Sequence, residues 1–316
     1  MLGSKRPVYV DVHDLPLDLR TDSGAQPIAH LVDLMRKRGL RPIPVTGTES
    51  ERGIDYLNTI RALVAGKSDG VCVRLERDEL NEPKLLRTSL SSTLHVLALD
   101  PAEVDMVLDF RYVGQDRVDV LRATVLEALR AIHDIGSFRN LAIAGGSVPE
   151  QLTKRDNGKV RREARVEFEF GSQIIATVAG RAPIAFGDFG IVSPHYVPPA
   201  KIVNPPARIR YTTPRDHVFF RAKRKDYQEL CRQLIESSDY LDIDDPAFSM
   251  GDQRIALAAK GQAGPGSPAI WVGNDTNHHL EVVSAQAWGA LQQQSLDSRF
   301  AIPEPSHHPW LQPELL

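Results

Sequence analysis

Ile184-Ala185-Phe186-Gly187-Asp188-Phe189-Gly190-Ile191 is the stretch on which the fold turns. Its first three residues are apolar, as in a short strand buried on both faces. Gly187, Asp188 and Gly190 then form a tight exit that presents a carboxylate. Upstream, runs of the same kind recur at residues 7–12, 41–45, 69–75, 104–110 and 140–147. Between them apolar residues fall at helical spacing: Ile28, Leu31, Leu34 and Met35; then Ile54, Leu57, Ile60 and Leu63; then Val118, Leu121, Val125, Leu129 and Ile132. Asp22 and Ser23 are cap candidates for the first of these helices, and Gly39 stands where its end needs a left-handed residue.

Two segments need arbitration. Leu86, Leu90 and Leu94 are four apart, and only residues 100–103 separate them from the next apolar run. A parallel crossover needs a dozen residues or more, so 84–99 reads as a helix. Arg-Val-Glu-Phe-Glu-Phe at 165–170 alternates with period two and by itself reads as a strand, but it sits where the alternation of strand and helix wants a helix. The architecture decides for the helix. Six strands with intervening helices leave a doubly wound sheet or a barrel as candidates.

After Pro194 the texture changes. Pro198, Pro199, Pro205 and Pro206 mark a linker, and 207–213 with 217–223 read as an antiparallel hairpin about Pro214-Arg215-Asp216. Residues 227–235 read as a helix, and Ala-Ile-Trp-Val-Gly (269–273) and His-His-Leu-Glu-Val-Val (278–283) as strands able to pair. A tail with four prolines and His307-His308 follows. The expected division is a partial βα-barrel domain at 1–200, an α+β extension at 201–300 and a Pro/His-rich tail at 301–316.

Composition excludes several classes. Net charge is −3, so charge does not indicate nucleic acid as a partner; the basic runs at 154–165 and 221–225 read as solvated loops or helix ends. No apolar run reaches the length of a membrane span, and no secretory leader precedes the first strand. Cys72 and Cys231 lie far apart and read as small buried hydrophobes, which fits a reducing cytoplasm. Asp188-Phe189-Gly190 matches the magnesium tripeptide of protein kinases, but the other kinase signatures are missing. Gly145-Gly146-Ser147 reads as a plain turn rather than a phosphate cradle. His278-His279, on a strand, would point to opposite faces and rarely share an ion, so no metal set is assigned. No cofactor is named by any motif.

Ligands of parallel βα folds sit at the C-terminal ends of the strands. The polar residues there are Asp11, Thr46, Arg74, Asp109, Ser147 and Asp188. Capping of the following helices is the bland explanation; Arg74 and Asp109 stand out because a charge in a buried strand needs a partner.

The order of Pro-Val-Tyr-Val-Asp-Val, Arg-Pro-Ile-Pro-Val-Thr-Gly, Phe-Gly-Asp-Phe-Gly-Ile, Arg-Tyr-Thr-Thr, Gly251-Asp252, Trp271 and Asn277-His278-His279 resembles the beta protein family, named for a bacteriophage protein and widespread in bacteria. The family's Gly-Asp-Tyr-Gly is Gly-Asp-Phe-Gly here. The resemblance implies a TIM-barrel-like parallel βα barrel with the later region appended, and it supports a helix over 165–176. It also implies a barrel lacking its first two βα units; a gene start placed too far downstream is the alternative. Six strands do not close an eight-stranded barrel, so a second chain, a copy of this one or the C-terminal region is expected to cover the open edges.

Two functions follow. The first, from the family's context, is a component of phage–host conflict acting through protein partners. The second is a barrel enzyme or binder of a small anionic, phosphorylated ligand. There Arg74 and Arg210 would hold the anion, and Asp109 or Asp188 with His278 would do acid–base work. Ser147, Tyr211, Asp252 and His279 complete the candidate ligand-binding set.

Overall fold

The computed structural model describes residues 6–67, 69–133, 135–150, 158–178, 184–195, 206–222, 225–241, 248–264 and 266–292. Prolines 198, 199 and 205, residues 154–157 of the basic run and the 301–316 tail lie outside these. In chain order the elements are β1 (Pro7–Val10), α1 (Pro27–Lys37), β2 (Arg41–Thr46), α2 (Glu49–Arg52), α3 (Ile54–Val64), β3 (Val71–Glu76), α4 (Arg77–Leu80), α5 (Pro83–Leu97), β4 (Val104–Tyr112) and α6 (Val118–His133). There follow β5 (Asn140–Gly146), β6 (Val160–Ala164), α7 (Val166–Val178), β7 (Ile184–Asp188), β8 (Arg208–Thr212), β9 (Asp216–Arg221), α8 (Tyr227–Ile235), α9 (Met250–Ala259) and α10 (Pro268–Gln292).

Six strands form one all-parallel sheet in the order β1-β2-β3-β4-β5-β7, curled into a half-barrel. The expected α/β class holds, and the parallel sheet stays open as a curled half-barrel. Alternation sorts the residues. Val71, Val73, Leu75, Met106, Leu108 and Ile143 face outward into the helix layer, where Leu57, Leu86, Leu90, Val125 and Ile174 meet them. Each such fully buried leucine contributes about 1.5–3 kcal/mol. The inner face carries Ile43, Val45 and Cys72 with Val107 packed against them. By register it also carries Tyr9, Arg74, Glu76, Asp109, Ala144 and Gly187.

The second sheet is antiparallel, in the order β6-β9-β8. Its core of Ile209, Tyr211, Val218 and Phe220 packs with Leu230, Cys231 and Leu234 of α8, Ile255 of α9 and Trp271 and Val282 of α10. The hairpin and the helix at 227–235 stand as the sequence indicates. Both cysteines are buried and free.

Several expectations are corrected. The α1 helix starts at Pro27 behind Gln26, whose side chain makes no cap bond, so Asp22 and Ser23 do not cap it; Gly39 does take the left-handed conformation, with φ 74°. The strand signal near 165 belongs to its neighbours: 160–164 form β6, while 166 onward is helical. Arg161 to Glu163 therefore lie on a strand and not in a solvated loop or helix end. Residues 269–273 and 278–283 are not strands; both lie in α10. The α9 helix, with Ser249 Oγ accepting from the Asp252 N–H as its cap, has no counterpart among the expected elements. No helix among the described residues is long and apolar enough to cross a membrane.

Candidate functional site

Two polar clusters lie at the C-terminal end of the large sheet. The first is a rim built on β1, β3 and β4. Glu76 and Asp109 are register partners on adjacent strands, and Arg74, two residues before Glu76, shares their face. The Arg74 guanidinium donates to Asp11 Oδ2 at 2.7 Å, to Glu76 Oε1 at 3.0 Å and to Asp109 Oδ2 at 2.7 Å. Burial works against its charge, but these carboxylates more than offset that and raise its pKa.

Beside it Arg52 lies 3.1 Å from Glu51 Oε1 and 3.5 Å from Asp11 Oδ1. Arg52 also donates to His13 Nδ1 at 3.0 Å. An arginine only donates, so Nδ1 accepts, and the Nε2–H points to Glu76 Oε1 at 3.0 Å. Glu51 lies across Gly47, where a Cβ would meet its Oε2 at 1.6 Å. Nearby Glu79 is shifted upward by burial and by Glu51 and Glu76, although its bonds from Thr48 and the Glu76 N–H oppose this. At the end of β4 the backbone is strained: Arg111 has φ 53°, and its N–H closes onto Asp109 Oδ1 at 2.8 Å. A register shift falls between Asp109 and Tyr112. The Arg111 guanidinium stacks over Phe189 at 5.7 Å, so the ring of the Gly-Asp-Phe-Gly exit adjoins the rim.

The second cluster joins the half-barrel to the small sheet and is almost wholly buried. Asp188 Oδ2 faces His279 Nε2 at 3.0 Å, while His279 Nδ1 meets Thr212 Oγ1 at 3.0 Å. Burial pushes Asp188 upward, but the bond and charge of His279 with the Gly190 N–H hold it below the usual carboxylate range. The order hydroxyl, imidazole, carboxylate matches a nucleophile relay. Thr212 and His279 are both fully buried, so these bonds tie β7 and β8 to α10 out of contact with solvent.

Glu167 Oε1 meets His217 Nε2 at 3.2 Å. Burial raises Glu167, and His217 and Arg165 outweigh it; burial lowers His217 more than Glu167 restores. Arg165 donates to Thr213 O at 3.1 Å and to Gln286 Oε1 at 2.8 Å. Farther in, Asp252 accepts from Tyr211 Oη at 2.9 Å and Ser249 Oγ at 2.6 Å, and faces His278 Nδ1 at 2.8 Å. His278 Nε2 meets the Thr212 carbonyl at 2.7 Å. Both ring nitrogens therefore face acceptor oxygens, one of Asp252 and one of the Thr212 backbone.

The structure therefore divides the expected set. Arg74 and Asp109 come together on the rim. Tyr211, Asp252 and His278 come together inside the small module, where the Tyr211 and His278 rings stack at 3.9 Å. Asp188 meets His279 and not His278. Ser147 is buried beside Glu167, where its hydroxyl helps to hold that carboxyl down. Arg210 lies over Asp275, its N–H donating to Oδ2 at 3.1 Å. The two histidines diverge because adjacent helical residues are about 100° apart, and each takes its own carboxylate. Among the described residues no group of histidine, cysteine and carboxylate side chains could hold a metal ion. Sequence reasoning missed His13, Glu51, Arg52 and Glu76 as rim members and His217 and Arg165 at the junction. Arg52 carried a usable signal, a cation on a helix that follows a strand end.

Fold and rim together define an α/β protein of the parallel βα kind, with a curled open sheet and an arginine–carboxylate rim at its strand ends. The chain matches the Beta protein family over residues 2–285 and belongs to that family. No curated protein and no solved structure gives a significant match.

Proposed function

We propose that the chain is a small-ligand-binding protein whose site is the rim formed by Asp11, His13, Arg74, Glu76 and Asp109, and that its ligand carries an amino or guanidino group. The observation that supports this is the enclosure of Arg74 by three carboxylates. With Glu51 the rim holds four acids against the two guanidiniums of Arg52 and Arg74. A further anion there would meet an excess of negative charge, whereas a cation would relieve it. Arg210, the other expected anion holder, faces Asp275 elsewhere. Glu76, Glu51, Asp11 and His13 are the more exposed members and the ones a ligand reaches first. The setting we propose is the one suggested by the family's context, a component of phage–host conflict acting through protein partners.

Thermal shift and calorimetric titration with agmatine, putrescine and inorganic phosphate test the site. Agmatine or putrescine should raise Tm, since a ligand at a hundredfold its Kd adds about 2.7 kcal/mol to stability. Phosphate should leave Tm unchanged, and Glu76→Gln should weaken amine binding about tenfold or more, as loss of a charged hydrogen bond does. Stabilisation by phosphate alone would restore the anionic ligand.

A further inference from the structure

Arg111, near the end of β4, has φ 53°, a left-handed value that residues with a Cβ avoid. The other non-glycine residue of this kind among those described, Ala98, ends a helix, where a left-handed residue is usual. Arg111 has no such reason, and it falls at a bulge. Between Asp109 and Tyr112 β4 advances three residues while β5 advances only from Ala144 to Gly146. A bulge of this sort re-aims the side chain it carries, and strain of this sort gathers at ligand sites.

The re-aimed guanidinium lies over the mouth of the half-barrel. It approaches Asp14, in the loop after β1, at 4.0 Å, and the Phe189 ring, at the exit of β7, at 5.7 Å. Those strands stand at opposite ends of the sheet order, so a group near both sits above the strand ends between them. β5 lies between β4 and β7 and ends in Gly145-Gly146, which put no side chain in the way. At Gly146 a Cβ would come within 3.3 Å of Phe189 Cβ, so the bare glycine also lets the ring settle there. Asp109 joins this group to the rim, one oxygen taking Arg74 and the other the Arg111 N–H. The two arginines differ in how far they are neutralised. Arg74 has three carboxylates within 3.0 Å. Among the described residues Arg111 has only Asp14 near it, beyond hydrogen-bond reach and 88% exposed.

We propose that Arg111 is a second binding group of the rim and takes the carboxylate of a ligand whose amino or guanidino group sits among Asp11, His13, Glu51 and Glu76. The ligand class is then a cationic amino acid of the arginine kind. This rests on the ligand-site reading and adds the other end of the molecule. A guanidinium fork held flat over an aromatic ring suits the two oxygens of one carboxylate. A doubly charged phosphate would meet Asp109 and Asp14 beside it.

Calorimetric titration of the full chain with arginine, argininamide and agmatine tests the assignment. Argininamide keeps both cationic groups and replaces the carboxylate by a neutral amide, so the acidic rim alone would favour it over arginine. Arginine should instead bind about tenfold or more tightly, as a charged hydrogen bond contributes. Arg111→Gly suits the left-handed backbone, so it should keep the parent's Tm, lose the preference for arginine and leave argininamide binding unchanged. Arg111→Lys, which keeps the charge without the fork, should retain part of the preference. Arginine binding no more tightly than argininamide overturns the proposal, and so does Arg111→Gly weakening both ligands equally, which is the mark of a structural role. Agmatine and argininamide binding without arginine leaves the amine site standing and removes Arg111 from it. Silence from all three ligands overturns both readings.

Discussion

Asp275 sits in an environment at odds with the chemistry of a carboxylate. It is fully enclosed between α10 and β8, one oxygen accepts the Arg210 N–H, and the other has no hydrogen-bond partner. Burial, only partly countered by Arg210, pushes its carboxyl up to about 7. The native state therefore keeps a proton that the unfolded chain releases above its ordinary value of 3.8. Stability from this group is complete below that value, falls as pH rises, and is lost above about 7. Asp275→Asn is neutral throughout and removes this slope. We expect the variant to gain on the parent from pH 5 to pH 8 by roughly a few kcal/mol, since a tenfold change in proton affinity is worth about 1.4 kcal/mol. Urea melts at the two pH values check this; a constant difference between the proteins would show that Asp275 does not titrate there. Nothing local in the sequence marks Asp275 as a buried carboxylate.

At the scale of elements, legibility follows how apolar the buried stripe is. The α5 helix was readable because Leu86, Leu90 and Leu94 form its stripe. The α10 helix was not, although its buried positions, Trp271, Asp275, His278, Val282 and Gln286, keep the same period. Three of those five are polar, so the stripe vanished from a hydrophobic count while short β-branched runs on either side imitated strands. The parallel strands were legible for the opposite reason, being apolar on both faces, and the rim was half legible because Arg74 and Asp109 interrupt such strands. Its other members come from loops and short helices that no periodicity marks.

The close approach of α9 to α10 gives a paired test. At Gly251 a Cβ would meet the Asn274 carbonyl oxygen at 2.4 Å, a backbone atom that cannot step aside, whereas nothing lies within 4 Å of a Cβ at Gly273. Gly251→Ala should cost about 1–3 kcal/mol by forcing the helices apart. Gly273→Ala, inside the same long helix, should gain about 0.5–1 kcal/mol from helix propensity. Thermal melts of the two variants compare the signs directly, and equal signs would mean that the crossing is looser than the distances state.

The whole molecule holds two separate apolar cores, one under the half-barrel's helices and one in the small module, and the residues that tie them are mostly polar. Arg165, Glu167 and Asp188 come from the barrel side of the junction, and His217, Thr212, His279 and Gln286 from the module side. Three of these titrate in the same direction. Glu167 and Asp188 are held below their ordinary values of 4.5 and 3.8, and His217 below 6.5. Each such group stabilises the native state above its unfolded value, and the gain is lost as pH falls toward its folded value. Acid should therefore weaken the junction, beginning below about pH 6.5 with His217 and deepening below about pH 4 as the carboxylates lose their charge, while Asp275 inside the module responds in the opposite sense and strengthens the module in acid. The chain carries its own reporters, since Cys72 lies in the half-barrel and Cys231 in the module, both fully buried. Labelling with a pyridyl disulfide, which reacts in acid, followed by peptide mass analysis along a urea series reads the two parts separately. At pH 7 the two cysteines should become reactive at one urea midpoint, as expected of a cooperative unit. At about pH 3, below the ordinary values of both carboxylates, the midpoints should part, because the polar junction couples the cores more weakly. Coincident midpoints at both pH values would mean that apolar contact across the junction, and not its paired histidines and carboxylates, makes the molecule one cooperative body.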